Sequence, residues 1–170
     1  LDRGEAVLQD GPVGASAPTF SANRRLVALA DGSDVCCFDL ATGRESKRWS
    51  TAGRVHALQF HPADGRVAVG YKDGPWVSVY DSTTGRETAQ LEVGTGWRMV
   101  VSWHPDGRHL AVGSTALGIQ VWDVEARQRL PRYGIDSRQH SVEDVLAVLR
   151  VGVAQTLVDH LLGESIDVCL

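Results

Sequence analysis

Short runs in which apolar and polar residues alternate make up most of the chain, and turn-forming residues separate them. The clearest run, 55–60, alternates with a period of two, which predicts a half-buried β-strand. The turn His61-Pro62-Ala63-Asp64-Gly65 follows, where Pro fixes φ and Gly accepts positive φ. Nearly all residues of 66–71 are small and apolar, as in an inner strand covered on both faces. Two strands joined by so tight a turn predict an antiparallel sheet.

The whole pattern recurs with a period of 42 residues. Phe38-Asp39, Tyr80-Asp81 and Trp122-Asp123 each close an apolar run at this spacing, and a His-Pro turn recurs at 61–66 and 104–108. A fixed period of this length indicates one supersecondary unit, here a four-stranded antiparallel meander, whose copies pack face to face. The predicted strands are 13–20, 26–30, 35–38 and 45–49 in the first copy, 55–60, 66–71, 76–80 and 87–92 in the second, and 98–103, 109–114, 119–122 and 128–130 in the third.

These repeats resemble the WD-repeat family of β-propellers, and the resemblance covers about residues 1–130. Trp122-Asp123 is the dipeptide that names the family, Tyr80-Asp81 and Phe38-Asp39 are accepted variants, and the His-Pro-Asp-Gly turns match its usual Ser-Pro-Asp-Gly. The chain lacks the Gly-His pair that often opens a repeat, and a turn Asp is lost at 115–118. The resemblance implies an all-β fold, a partial β-propeller of about three four-stranded antiparallel blades, whose function is partner binding.

The repeat boundaries divide the chain into blades. Residues 1–10 align with the end of a repeat and are predicted to form the outer strand of a preceding blade. Blades are predicted at 11–53, 54–96 and 97–133, followed by a tail at 134–170. Because the chain starts in mid-repeat and closed propellers have four to eight blades, we expect it to be a fragment of a longer protein.

The tail supports two interpretations. Ser141 with Asp144 resembles a helix N-cap, and apolar residues then recur every four positions up to Gly163, which would end a helix. The alternative is a degenerate fourth blade that opens at 140–148. We favour the helix.

Composition and charge argue against several classes of partner. The chain has 17 Lys and Arg against 21 Asp and Glu, a net charge of −4, with the signs mixed along its length. Because no basic run could neutralise phosphates, we expect no nucleic-acid partner. No apolar stretch approaches the ~18–20 residues of a spanning helix, so membrane insertion is not expected. Cys36, Cys37 and Cys169 are interpreted as small apolar residues in a reducing compartment, and we expect the cytoplasm.

Motifs for catalysis or cofactor binding are missing from the sequence. The chain contains no Gly-x-Ser-x-Gly nucleophile elbow, no Gly-rich phosphate loop, no His-Glu-x-x-His and no Cys-x-x-Cys. We therefore predict no catalytic residues, no cofactor and no metal site, so that the chain is not an enzyme. His61 and His104 recur at equivalent positions and are interpreted as imidazoles that cap the backbone of their turns. Asp64 and Asp106 are interpreted as turn formers.

The family resemblance implies a partner-binding face, made by the loops that enter the first strand of a blade and those that join the second and third. By position, this face holds Arg54, His56, Lys72, Trp76, Trp97 and Met99. Trp, Arg and Met are enriched at protein interfaces. Trp97 follows Gly-Thr-Gly and is a candidate hot spot, with packing on a neighbouring blade edge as the alternative. Trp76 begins a predicted strand, which favours packing.

The leading hypothesis is a non-catalytic scaffold module that binds protein or peptide partners. The alternative is a regulatory or sensor propeller domain of a larger enzyme, such as a protein kinase or a propeller-capped peptidase. A third interpretation is the decayed end of a propeller gene. Exposed blade edges also predict self-association.

Overall fold

Twelve β-strands make up the part of the chain that the computed structural model describes, residues 16–114 and 116–135, with side chains described to residue 130. The first four are β1 (Ser16–Phe20), β2 (Leu26–Asp31), β3 (Asp34–Asp39) and β4 (Glu45–Ser50). The next four are β5 (Val55–Phe60), β6 (Arg66–Tyr71), β7 (Asp73–Asp81) and β8 (Glu87–Trp97). The last four are β9 (Val100–Trp103), β10 (His109–Ser114), β11 (Gly118–Asp123) and β12 (Gln128–Ile135).

The strands form three sheets, each a four-stranded antiparallel meander in chain order. One sheet holds β1 to β4, the next β5 to β8 and the last β9 to β12. The first strands of the sheets, β1, β5 and β9, contact one another in sequence order. The sheets therefore stand side by side as a first, second and third blade, and the prediction of an all-β partial propeller is confirmed.

The described residues contain no helix, and so none with the length and apolar character that crossing a membrane requires. The outer strand predicted at 1–10 lies outside the described residues. The helix predicted in the tail also lies outside them, except that residues 134–135 are the end of β12.

Alternation of side chains divides the second blade between two cores. On β6, Val67 and Val69 belong to the core shared with the first blade, whereas Ala68 belongs to the core shared with the third. This division follows from the period of two, which points neighbouring side chains of a strand to opposite faces. The first core contains Ala28, Ala30, Val35, Cys37, Trp49, Val55, Leu58, Phe60, Val67, Val69, Tyr71 and Tyr80. The second contains Ala68, Val77, Val79, Ala89, Leu91, Val93, Met99, Trp103, Leu110, Val112, Trp122 and Val124.

A repeated hydrogen bond links the inner strands of neighbouring blades. The backbone N–H of Phe60 donates to Thr19 Oγ1 at 3.2 Å, and that of Trp103 donates to Gln59 Oε1. Thr19 and Gln59 occupy the same position, one residue before the aromatic that ends β1 or β5. The blades are thus joined by polar bonds at their inner edge as well as by apolar packing.

His61 caps its own turn, as the sequence predicts, and also reaches the next blade. Its Nδ1 accepts the backbone N–H groups of Ala63 and Asp64 at 3.2 and 3.0 Å. A ring nitrogen that accepts in this way leaves the proton on Nε2, which then donates to the carbonyl oxygen of Gly107 at 2.7 Å. The ring also meets Trp103 edge to face, with centroids 4.7 Å apart. One turn histidine therefore fixes the distance between the second and third blades.

The repeated aromatic–Asp dipeptide has a structural reason. Asp39 Oδ1 accepts the backbone N–H groups of Ala41 and Thr42, both at 2.9 Å, at the turn that leaves β3. Asp81 does the same for the turn that leaves β7, with Thr84 N–H at 2.7 Å. Bonds from Thr42 and Thr84 respectively hold the pKa of Asp39 and of Asp81 below the ordinary range. The dipeptide therefore marks the point where the third strand of a blade turns into the fourth.

The outer strands of the second blade are longer than the sequence predicts. β8 was expected to end at Glu92 but runs to Trp97, which pairs with Asp73 at the start of β7. Gly74 and Gly94 both have positive φ, and the register shifts between Gly74 and Trp76. A glycine-rich stretch that resembles a turn in sequence is thus an irregular extension of the hairpin. Trp97 consequently stands at the end of a strand, and Trp76 lies inside one.

Candidate functional site

The antiparallel meander sends the loops of each blade to two opposite ends. Turns after the first and third strands lie at one end, and turns after the second and fourth strands lie at the other. Five of the six residues predicted to bind a partner are exposed or half-buried near the second end. They are Arg54, His56, Lys72, Trp76 and Trp97.

Lys72 lies at the centre of this end. Its backbone N–H donates to the carbonyl oxygen of Arg54 at 2.8 Å, and its own carbonyl accepts the N–H of Arg98 at 2.7 Å. Its ammonium nitrogen lies 5.5 Å from the ring centroid of Trp97, within the range of a cation–π contact. The indole of Trp97 is 51% exposed. We call Arg54, Lys72, Trp97 and Arg98 the basic–aromatic patch.

The cations of the patch have no carboxylate partner among the described residues. Arg54 and Arg98 are exposed, Lys72 is half-buried, and no ion pair joins any of them to another described side chain. The nearest acidic neighbour by strand pairing is Asp73, which is opposite Trp97. The patch therefore presents three positive charges and one exposed indole on chain segments that are joined by backbone hydrogen bonds at Lys72.

At the same end of the first blade, the basic charge is already neutralised. Arg48 lies 3.1 Å from Asp31 and 2.9 Å from Glu45, with Asp34 at 3.7 Å. These contacts raise the pKa of the Arg48 guanidinium, chiefly through the hydrogen bond to Glu45. Among the described residues at this end, Arg48 is thus neutralised by acidic neighbours, whereas Arg54, Lys72 and Arg98 are not.

Met99 is a correction to the sequence analysis. It was expected on the partner-binding face, but its side chain is fully buried. Its backbone N–H donates to the carbonyl of Tyr71 at 2.9 Å, which turns the side chain into the core between the second and third blades. Met99 therefore contributes packing and offers no surface to a partner.

The remaining predicted residues take different positions. Trp76 is half-buried and packs against the core shared by the first and second blades, as the alternative interpretation expected. His56 is half-buried on β5. Trp97 is an exposed aromatic at this end, and its ring contacts Lys72, so its role as a hot spot stays a prediction.

Arg98 was not identified from the sequence as a site residue. The alternation predicts a strand that starts at Arg98, whereas β9 starts at Val100 and Arg98 has a φ of 54°. A non-glycine residue in this conformation is uncommon, and here it is held by the bond from its N–H to Lys72. The adjacent Trp97-Arg98 pair, in a segment that joins two blades, is the sequence signal that could have identified it.

Within the described residues, the thiols are poor candidates for catalysis. Cys36 and Cys37 are buried, and burial raises the pKa of Cys36 to about 11 and that of Cys37 to about 12. The reactive thiolate is therefore scarce at neutral pH. A cavity of about 360 Å³ between the first two blades is lined by His61 and Asp64, but the Nδ1 of His61 is occupied by turn N–H groups.

Comparison with known proteins supports the fold more than the function. No family model matches the chain. The Serine-threonine kinase receptor-associated protein of Dictyostelium discoideum is 32% identical over 106 residues, which cover 61% of this chain and 35% of that protein. The chain thus spans about a third of this curated relative. The solved structure of Kuenenia stuttgartiensis Hydrazine Synthase superposes with a TM-score of 0.63 and 21% identity, over 76% of this chain and 38% of that one.

The second likeness bears on the fold alone, because the sequence identity is low. Together with the three side-by-side sheets, the two likenesses support a propeller-type arrangement. The chain is similar to part of a propeller.

Proposed function

We propose that this chain is a non-catalytic interaction module that binds an acidic segment of a partner protein through the basic–aromatic patch. The observation that carries the proposal is that the patch combines the exposed indole of Trp97 with three cations that have no carboxylate partner among the residues that the structure describes. Guanidinium and ammonium groups donate charge-assisted hydrogen bonds to carboxylates, and an exposed indole supplies apolar contact area.

The location of the charge matters because the chain as a whole is acidic. Its net charge of −4 gives no general attraction for an acidic partner. At physiological ionic strength, salt screens the interaction between charges that lie more than about 8–10 Å apart. Binding must therefore come from local contacts at the patch. A segment that places carboxylates near Arg54 and Arg98 and an apolar side chain on Trp97 would match all three features.

The name of the Dictyostelium relative suggests one class of partner to test first. That protein is described as associated with a serine-threonine kinase receptor. A receptor of this kind is a candidate partner for the present chain, with an acidic segment of the receptor as the contact.

The proposal can be tested by selecting 12-residue peptides from a random displayed library on the immobilised 170-residue chain. We expect the recovered peptides to be enriched in Asp and Glu. One fluorescein-labelled peptide would then be titrated by anisotropy against the unchanged chain and the Arg54→Glu and Trp97→Ala variants. Each variant should weaken binding by about tenfold or more, since each removes a central contact of the patch.

The matched control is Arg86→Glu, which makes the same charge change at an exposed arginine of the opposite end. It should leave the affinity unchanged. Peptides without an excess of acidic residues, or equal losses in Arg54→Glu and Arg86→Glu, would contradict the proposal. The second outcome would show that net charge, and not the patch, controls binding.

A further inference from the structure

The turn between β9 and β10 brings two imidazoles to one carboxylate. Nδ1 of His104 lies 3.0 Å from Asp106 Oδ2, and Nδ1 of His109 lies 2.6 Å from the same oxygen. The three donor atoms all lie within 4.8 Å of one another. From the sequence, His104 and Asp106 are interpreted as turn residues, and His109 is placed in a strand. The spacing His-x-Asp-x-x-His, with a tight turn inside it, is the signal that could have identified the cluster.

The turn itself orients the carboxylate toward the imidazoles. Asp106 Oδ1 accepts the backbone N–H groups of Arg108 at 2.8 Å and of His109 at 3.1 Å. An aspartate carboxyl is ordinarily ionised at neutral pH. With Oδ1 held by the turn, Oδ2 is left to face His104 and His109.

The electrostatics of this cluster favour a cation. The backbone N–H of Asp106 donates to Nδ1 of His104 at 3.2 Å, and Asp106 Oδ2 lies 3.0 Å from the same nitrogen, so this lone pair faces both a donor and an anion. A proton on this nitrogen would satisfy Oδ2 but would leave the backbone N–H of Asp106 facing another N–H. A cation between the three donor atoms would replace the proton that His109 Nδ1 shares with Oδ2, and would attract both imidazole nitrogens and the carboxylate at once.

The dimensions suit a transition-metal ion. Zinc bonds of about 2.0–2.2 Å in a tetrahedron place neighbouring ligand atoms ~3.4 Å apart, so the contacts here need to open by less than about 1 Å. Two imidazoles and one carboxylate suit ions of borderline softness. Asp106 is exposed and both histidines are half-buried, so one side of the cluster faces solvent. We propose that His104, Asp106 and His109 bind one Zn²⁺ ion, with water or a group from a partner in the fourth position.

The second blade shows what the same turn does without the third ligand. There the position of His109 is taken by Val67, and Asp64 is bound to the Arg66 guanidinium at 2.8 Å. Nδ1 of His61 accepts backbone N–H groups of its turn, as Nδ1 of His104 does, so the difference lies in Val67 and in the Asp64–Arg66 pair. Among the described turns, the donor set of the third blade is thus distinct from its counterpart in the second.

The site is adjacent to the contact that joins two blades. Gly107 lies in the same turn, and its carbonyl oxygen accepts the bond from His61 of the second blade. A metal ion that fixes the turn would also fix this acceptor. Binding should therefore stabilise the junction of the second and third blades against heat, and not only the turn.

The experiment uses the full 170-residue chain after treatment with EDTA. Zn²⁺ would be titrated in competition with a chromophoric chelator, and Co²⁺ would be added separately to record its visible absorption spectrum. We expect one ion per chain, a Co²⁺ spectrum of mixed nitrogen and oxygen coordination, and a rise in the melting temperature that saturates at one equivalent of Zn²⁺. His109→Val, which copies the second blade, should weaken binding by about tenfold or more.

Two further variants keep the test decisive. Asp106→Asn retains the Oδ1 acceptor of the turn but loses the anionic ligand, so it should also bind weakly while its metal-free melting temperature changes little. A variant with His140→Ala, His160→Ala and Cys169→Ser removes donors from the tail and should bind one ion as before. Absence of stoichiometric binding, equal affinity in His109→Val, or loss of the ion in the tail variant would each overturn the proposal.

Discussion

Single atoms set how closely the blades approach. Gly70 lies on β6 of the second blade, and a Cβ at this position would collide with the carbonyl oxygen of Met99, which enters the third blade. The next residue, Tyr71, accepts the N–H of Met99 at 2.9 Å, so backbone touches backbone here. Only a residue without a side chain permits this contact.

We therefore expect Gly70→Ala to lower the free energy of unfolding by about 3 kcal/mol, the upper end for overpacking, since the obstructing atom is backbone and cannot rotate away. Urea unfolding followed by far-UV circular dichroism would measure it. The matched control is Gly53→Ala, whose Cβ would meet the Tyr71 ring at an ordinary 3.5 Å. Similar urea midpoints for the two variants would show that the second and third blades can move apart at this contact without loss of stability.

At the scale of the element, the turns after the third strands are held by carboxylates. Asp39 and Asp81 each accept backbone N–H groups of the following residues, and Asp123 accepts the N–H of Ala126 while it pairs with Arg108. The pKa of each of the three is lowered: chiefly by bonds from Thr42 and Thr84 for the first two, and by the Arg108 hydrogen bond for Asp123.

This predicts a defined response to acid. A carboxyl whose pKa is lowered in the folded state stabilises the fold at pH values above its unfolded-state pKa of about 3.9. This contribution is lost as the pH falls through the folded-state pKa. The urea midpoint should therefore be steady near neutrality and fall below pH ~4. Asp81→Asn keeps an oxygen acceptor but has no proton to gain, so its midpoint should fall less steeply between pH 4 and 2. If the urea midpoint of Asp81→Asn fell with pH as steeply as that of the unchanged chain, this role for Asp81 would be contradicted.

The sequence predicts these elements well because each depends on local signals. Alternation locates the strands, and Asp, Gly and Pro locate the turns, so β5, β6 and β10 match the predicted ranges. The extension of β8 to Trp97 was missed because Gly94 and Gly96 resemble a turn, and only pairing with β7 keeps them extended. The positions of Met99 and Arg98 follow from that extension, which is why the candidate site was predicted only in part.

At the scale of the molecule, the edge strands of the blades lead to a prediction. Among the described strands, β1 pairs with β2 alone, and its last residue, Phe20, is 61% exposed. An exposed edge offers unpaired N–H and C=O groups to another chain, and an exposed aromatic adds apolar area. Such an edge favours contact between two copies of the chain.

We accordingly expect the isolated chain to self-associate, with a mass that rises with concentration in size-exclusion chromatography coupled to light scattering. Phe20→Ser should shift the distribution toward the monomer. Trp97→Ala removes the second large exposed aromatic of the described residues, which lies on the second blade, and should not change the distribution. A sharp monomeric mass for the unchanged chain at high concentration would be evidence against association through this edge.

The contact between Lys72 and Trp97 also makes the patch detectable by tryptophan fluorescence. Of the five tryptophans, Trp49, Trp103 and Trp122 are buried and Trp76 is half-buried, so Trp97 is the indole most accessible to water. Its emission is expected at longer wavelengths than that of the others, and a nearby ammonium perturbs the excited state of the ring. A ligand that covers Trp97 or displaces Lys72 would shift this emission toward the blue. The chain thus carries its own optical reporter, and occupancy of the patch could be followed without any label.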